Sequence, residues 1–123
     1  MRRSIDIEDE VRQVLAAYYT AYCDPLPKSY TVPFIRVTSA GGSERNQIDT
    51  FMVVIEGYAD TDAEACEITR NAVGIVKDHK YWHTRENTKA TRFQDPLRPD
   101  LCRYRTTLLI TAHQETFSIS TED

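Results

Sequence analysis

The side chains that could do chemistry are three histidines, three cysteines and a surplus of carboxylates. His79 and His83 stand four residues apart, a spacing that on a helix puts two imidazoles on one face, as zinc sites use. Lys80, not a glutamate, follows His79, so the metalloprotease pattern with its general-base carboxylate is not met. Tyr81 and Trp82 fall between the two histidines, where the helix is expected to have ended. The pair therefore reads as one helix-terminal histidine and one in a connector, and His113 stands alone. Cys23, Cys66 and Cys102 are odd in number and widely spaced. Without a CxxC or CxxH pair they support neither a zinc knuckle nor a thioredoxin-type site. They read as small, buried, reduced thiols, and no motif activates one of them as a nucleophile beside histidine. Gly41-Gly42 lacks the third glycine and the following helix of a dinucleotide loop, and nothing matches a phosphate loop or a nucleophile elbow. Asp60, Asp62 and Glu64 surround a helix start, where capping and the helix dipole account for them. The residues thus predict no catalytic, cofactor or metal site.

The elements that position these residues are legible from periodicity. Ile7, Val11, Val14, Leu15, Tyr18, Tyr19 and Tyr22 trace one helical face, capped by Asp6 and stopped by Asp24-Pro25-Leu26-Pro27. This predicts a helix over 6–22, with the tyrosines covering a sheet. Residues 23–32 are expected to be a loop, and 34–38 a strand rich in β-branched and aromatic types. Residues 41–48 read as a turn or mobile loop around the paired glycines. Residues 49–59 form the strongest strand: Phe51, Val53 and Ile55 share one face, with Met52 and Val54 opposite. One of its faces should take the helices, the other a second sheet or another subunit. Thr61 to Glu64 is a capping box opening a helix that runs to about His79. Residues 80–88 read as a connection or a short extra element, 90–94 as a strand, 95–101 as a two-proline turn, 102–114 as a long last strand and 115–123 as a polar tail. The order α-β-β-α-β-β predicts a single α+β domain, with two helices on one face of a mixed or antiparallel sheet.

The bulk numbers narrow the function class. A chain of 123 residues can bury one core without disulfides or metals. Its 41% hydrophobic and 28% charged residues are globular proportions, richer in apolar residues than a disordered chain. A net charge of −4 argues against a general nucleic-acid binder, which carries a basic surplus to neutralise phosphates. No signal peptide or transmembrane stretch is evident, so the expectation is a protein made and kept in the cytosol, without membrane contact. Charge is uneven: Asp6, Glu8, Asp9 and Glu10 lie near the start, whereas Arg85, Lys89, Arg92, Arg98, Arg103 and Arg105 crowd the last third. Such asymmetry suits head-to-tail contact between copies.

The order of motifs carries a resemblance. An amphipathic helix leads to Val32-Pro33-Phe34-Ile35-Arg36-Val37-Thr38, then to a Gly41-Gly42 loop with Arg45 and Asn46. Ile55-Glu56-Gly57-Tyr58-Ala59 follows, with Thr61 and Glu64-Ala65 opening the second helix. Asp95-Pro96 then precedes Arg103-Tyr104 in the last strand. Over about residues 5–114 this pattern resembles the tail terminator (tail completion) proteins of long-tailed, non-contractile bacteriophages. The resemblance implies a virion structural protein with no enzymatic activity. It implies a ring, usually a hexamer, at the head-proximal end of the tail, which caps the tail tube, ends its polymerisation and offers a surface to the head connector. Genomic DNA would pass through the pore without sequence-specific binding. Arg36, Arg45, Asp49 and Arg103, with Asp100 as an acidic partner, are the candidates for contacts with neighbouring subunits or the tube. Another head–tail neck or adaptor protein, or a small ligand- or peptide-binding α/β module, would share parts of the pattern.

Overall fold

A computed structural model describes residues 6–45, 48–93 and 100–113, side chains excepted at 40–45, 48–49 and 112–113. The elements are α1 (Ile7–Ala16), β1 (Ala21–Cys23), β2 (Phe34–Arg45), β3 (Ile48–Ala59), α2 (Asp62–Lys77), β4 (His83–Arg92) and β5 (Cys102–His113). The five strands form one mixed sheet in the order β1-β2-β3-β5-β4, and only the β1–β2 pair is parallel. Both helices pack on one face, so the chain is an α+β domain of the expected class. The turns at 46–47 and 94–99, including the Asp95-Pro96 motif, and the polar tail 115–123 lie outside the described residues.

Helix α1 starts where its capping residue predicts: the Asp6 carboxylate accepts the Asp9 N–H at 3.2 Å, closing one of the orphan donors of the first turn. It ends at Ala16, six residues before the predicted boundary at 22. Tyr18 and Tyr19 both donate their N–H to the Leu15 carbonyl, and the chain turns. Ala21–Cys23 then docks beside Ile35–Val37 as a parallel strand. Pairing with a preformed strand satisfies the backbone of β-favouring residues better than a further helical turn would. The tyrosines consequently diverge. Tyr18 is exposed, Tyr19 accepts a hydrogen bond from Asn71 on α2, and Tyr22 packs edge-on against Phe34.

The second helix keeps its predicted start, with Thr61 Oγ1 accepting the Glu64 N–H at 3.2 Å. Its buried stripe is Ala65, Ile68, Thr69, Ala72, Val73 and Val76. The helix lies so close to β3 that a Cβ on Gly57 would stand 2.3 Å from Thr69 Oγ1 and 2.8 Å from Ile68 Cγ1; only glycine fits there. Val11, Leu15, Ile35, Val37, Val53, Ile55, Leu108 and Ile110 complete a core between helices and sheet, the burial that drives folding.

Two strand assignments change. Residues 41–45 are not a loop: β2 continues through both glycines to Arg45, opposite Ile48, past a bulge between Ser39 and Gly41. The segment 80–88, expected to be a connection or a short extra element, contains the first half of β4, which pairs with β5 from His83↔Thr111 to Arg92↔Tyr104 through two register shifts. This edge strand packs one flank only and is almost wholly exposed, so its sequence lacks the apolar alternation by which strands are recognised.

Candidate interaction site: the arginine–glutamate face of the sheet

The face turned away from the helices carries a charged network. One row crosses all five strands in register: Tyr22, Arg36, Glu56, Arg105 and Thr91. Alternation along β3 places Glu56 opposite the core residues Val53 and Ile55, at the centre of the open face, yet it is only 4% exposed. Its carboxylate is surrounded by cations: Arg36 Nη1 at 3.2 Å, Arg103 Nη1 at 3.4 Å and Arg105 Nε at 4.0 Å. Arg36 also grips the Asp24 carboxylate with both Nε (2.8 Å) and Nη2 (2.7 Å). That paired geometry holds the guanidinium firmly protonated, chiefly through the Asp24 hydrogen bonds,. Arg103 is buried; its Nε donates to the Phe93 carbonyl at 2.9 Å and its Nη1 to the Tyr58 hydroxyl at 2.9 Å.

An aromatic array runs beside the charges. Tyr30 packs on Phe34 at 4.9 Å, and Phe34 stacks on Tyr58 at 4.6 Å. The Arg103 guanidinium lies between the Tyr58 and Phe93 rings, at 5.6 and 4.5 Å, and Arg105 covers Phe93 at 5.1 Å. Alternating rings and guanidinium planes attract through the ring quadrupole. Together with the Asp24–Arg36 pair, they fasten the β1–β2 connection over one end of the open face, which is why Phe34 and Tyr58 are buried there with no helix above them. The result is an amphipathic surface whose outer members, Phe93 and Arg105, stay partly exposed.

Two of the five residues proposed from sequence, Arg36 and Arg103, meet at this site, both on Glu56. Asp100 does not join them. It is exposed and borders an open hollow with Lys28, Tyr30, Thr31 and Leu101. Arg45 and Asp49 lie at the far end of the β2–β3 hairpin, Asp49 opposite Glu44 and Arg45 opposite Ile48. Nine residues of strand separate Arg45 from Arg36, about 30 Å at the usual rise. Sequence reasoning passed over Glu56, Asp24 and Arg105 as site residues. A glutamate amid Val53, Val54 and Ile55 in the strongest strand was the available signal, since a charge in a buried strand requires partners.

His79 and His83 do not converge. His79 lies just beyond α2 and stacks on Trp82 at 4.0 Å, where burial holds its pKa below the usual histidine value,. His83 lies on β4 opposite Thr111, on the open face. Among the described residues no group of three or more His, Cys, Asp or Glu side chains could hold a metal ion. All three thiols are free. Burial pushes the Cys23 thiol up to about 11, and a hydrogen bond to Asp62 raises that of Cys102. Both shifts oppose the thiolate that nucleophilic chemistry needs. Among the described residues no helix is long and apolar enough to cross a membrane.

The fold and site define an α+β domain with a helical face on one side of a mixed sheet and an arginine–glutamate network on the other. Comparison of the sequence with protein-family models and with curated proteins gave no match.

Proposed function

We propose that this chain is a structural assembly protein, a ring-forming tail terminator that caps a phage tail tube, ends its polymerisation and offers its other side to the head connector. The observation that carries the reading is the outer edge of β2. The short β1 covers β2 only from Ile35 to Val37. The Glu8 carboxylate accepts the Ser39 N–H at 2.8 Å. From Ala40 to Arg45 no strand pairs with that edge among the described residues. A long unpaired edge is a template for pairing with another chain. The opposite edge, β4, is protected by bulges and by Arg85, Glu86, Lys89 and Arg92. Residues 38–43, Thr-Ser-Ala-Gly-Gly-Ser, carry neither charge nor proline, which suits an edge meant to be covered.

A repeated head-to-tail contact closes into a ring when its rotation angle fits. The sheet's buried charges serve this role as a stiffener: they hold the open face in one shape at the subunit boundary. DNA would pass the ring's pore without sequence-specific contact, which the overall negative charge favours,. The test is tube growth. Purified tail-tube protein is allowed to polymerise with and without this chain, and lengths are measured by electron microscopy. Short, capped tubes in its presence support the reading; unchanged length distributions at stoichiometric excess contradict it.

A further inference from the structure

Among the described residues with side chains, the open face of the sheet has more cations than carboxylates. It carries Arg36, Arg85, Arg103 and Arg105 against Asp24 and Glu56. Arg36 and Arg103 are engaged in the network described above. Arg105 reaches Glu56 only at 4.0 Å, and no hydrogen bond from its guanidinium is found among the described residues. Arg85, opposite Leu109, is exposed and meets no carboxylate among the described residues. Phe93, under the Arg105 guanidinium, is 44% exposed. The face thus presents Arg85, a partly exposed Arg105 held only at 4.0 Å by Glu56, and an aromatic ring.

The far side of the same molecule offers two carboxylates, with the cation Arg70 exposed one turn further along. Glu64 and Glu67 are exposed on the outer face of α2, and neither meets a cation among the described residues, whereas Asp62 is taken by Arg92. Further along that face, past Arg70 and Asn71, lies Gly74. A Cβ there would meet nothing within 4 Å, so packing within the chain does not require glycine, although a mid-helix glycine costs about 1 kcal/mol relative to alanine. A bare backbone on an exposed helix face permits close approach by another surface.

We propose that the open sheet face of one copy receives the outer face of α2 of the next, with Arg85 and Arg105 meeting Glu64 and Glu67 and Phe93 packing at the contact. The two surfaces lie on opposite sides of one chain, so the contact is heterologous and repeats from copy to copy, closing into a ring when its rotation angle fits. The inference rests on the ring reading and adds a second contact between copies, separate from the β2 edge that carries that reading.

The experiment uses two variants of the full chain. One is R85E/R105Q; glutamine at 105 avoids setting a second carboxylate beside Glu56. The other is E64K/E67K, which alters exposed residues only. Melting curves and circular dichroism check that each folds. Mass by light scattering over a concentration series then reads self-association. Each variant alone should assemble at least about tenfold more weakly than the parent chain, because like charges meet at every contact. An equimolar mixture should recover assembly as an alternating ring, since every contact then pairs opposite charges. Parent-like mass for both folded variants, or a mixture no more associated than its parts, would overturn this choice of faces and leave the ring itself standing. A parent chain that stays monomeric at every concentration, with and without tube protein, would overturn both.

Discussion

Replacing Glu56 with glutamine removes one negative charge from the centre of the open face and keeps the side chain's size. The cost follows from what each arginine retains. Arg36 keeps its paired hydrogen bonds to Asp24 at 2.7 and 2.8 Å. Arg105, with 42% of its side chain exposed, recovers most of its loss from water. Arg103 is the expensive partner: its side chain is 9% exposed, and Glu56 lies 3.4 Å from its Nη1. Breaking a buried pair by removing one member costs about 3–5 kcal/mol. The neutral contacts that Arg103 keeps with Tyr58 and Phe93, and the surviving Asp24–Arg36 pair, reduce that to about 2–3 kcal/mol. For a domain of this size the melting temperature should fall by about 8–15 °C. Urea unfolding is the assay, with Asp24→Asn as the exposed control at about 1 kcal/mol or less. A double-mutant cycle between Glu56→Gln and Arg103→Met should give a coupling above about 1 kcal/mol. Glu56→Gln within about 0.5 kcal/mol of the parent chain would refute the network as the stiffener of this face.

Four further outcomes follow from named contacts. Gly57→Ala drives a methyl group into Thr69 Oγ1 and Ile68 Cγ1 and should cost about 2–3 kcal/mol in denaturant unfolding. Gly74→Ala meets no neighbour and should raise the stability of the dilute chain by up to about 1 kcal/mol; the same methyl should weaken self-association in light scattering. Thr61→Ala removes the acceptor for the Glu64 N–H and should cost about 1 kcal/mol by thermal melting. Burial lowers the folded-state pKa of His79 below its ordinary 6.5. The unfolded chain therefore binds the proton more readily, and the stability conferred by a neutral His79 is present above pH 6.5 and lost as pH falls through the lower, folded-state value. Urea midpoints across this range should decline less steeply in His79→Phe.

Much of the fold was legible because burial writes periodicity into sequence. The β3 strand and the α2 cap stand where alternation and the Thr61–Glu64 spacing put them. The failures have physical causes. Tyr18, Tyr19 and Tyr22 continue the helical spacing of α1, yet tertiary pairing of Ala21–Cys23 with β2 overrides it,. The β4 strand is an edge, and edges are polar for solubility, so its first half, within 80–88, reads as a connection or a short extra element,. Gly41-Gly42 reads as a turn, but opposite Met52 and Phe51 the pair continues a strand past a bulge,. Of the candidate site, Arg36 and Arg103 were named only through the resemblance. The carboxylate that joins them was not visible, because Arg36 and Glu56 are 20 residues apart and Glu56 and Arg103 farther still, and only the register of β2, β3 and β5 brings them together.

The central claim, that this chain closes into a ring on a tail tube, is tested most directly by its mass in solution, measured by light scattering over a concentration series with and without tail-tube protein. The account predicts a closed oligomer near six subunits, alone or once tubes are present, with tube growth arrested when it forms. A strict monomer at every concentration that ignores tube protein would contradict it.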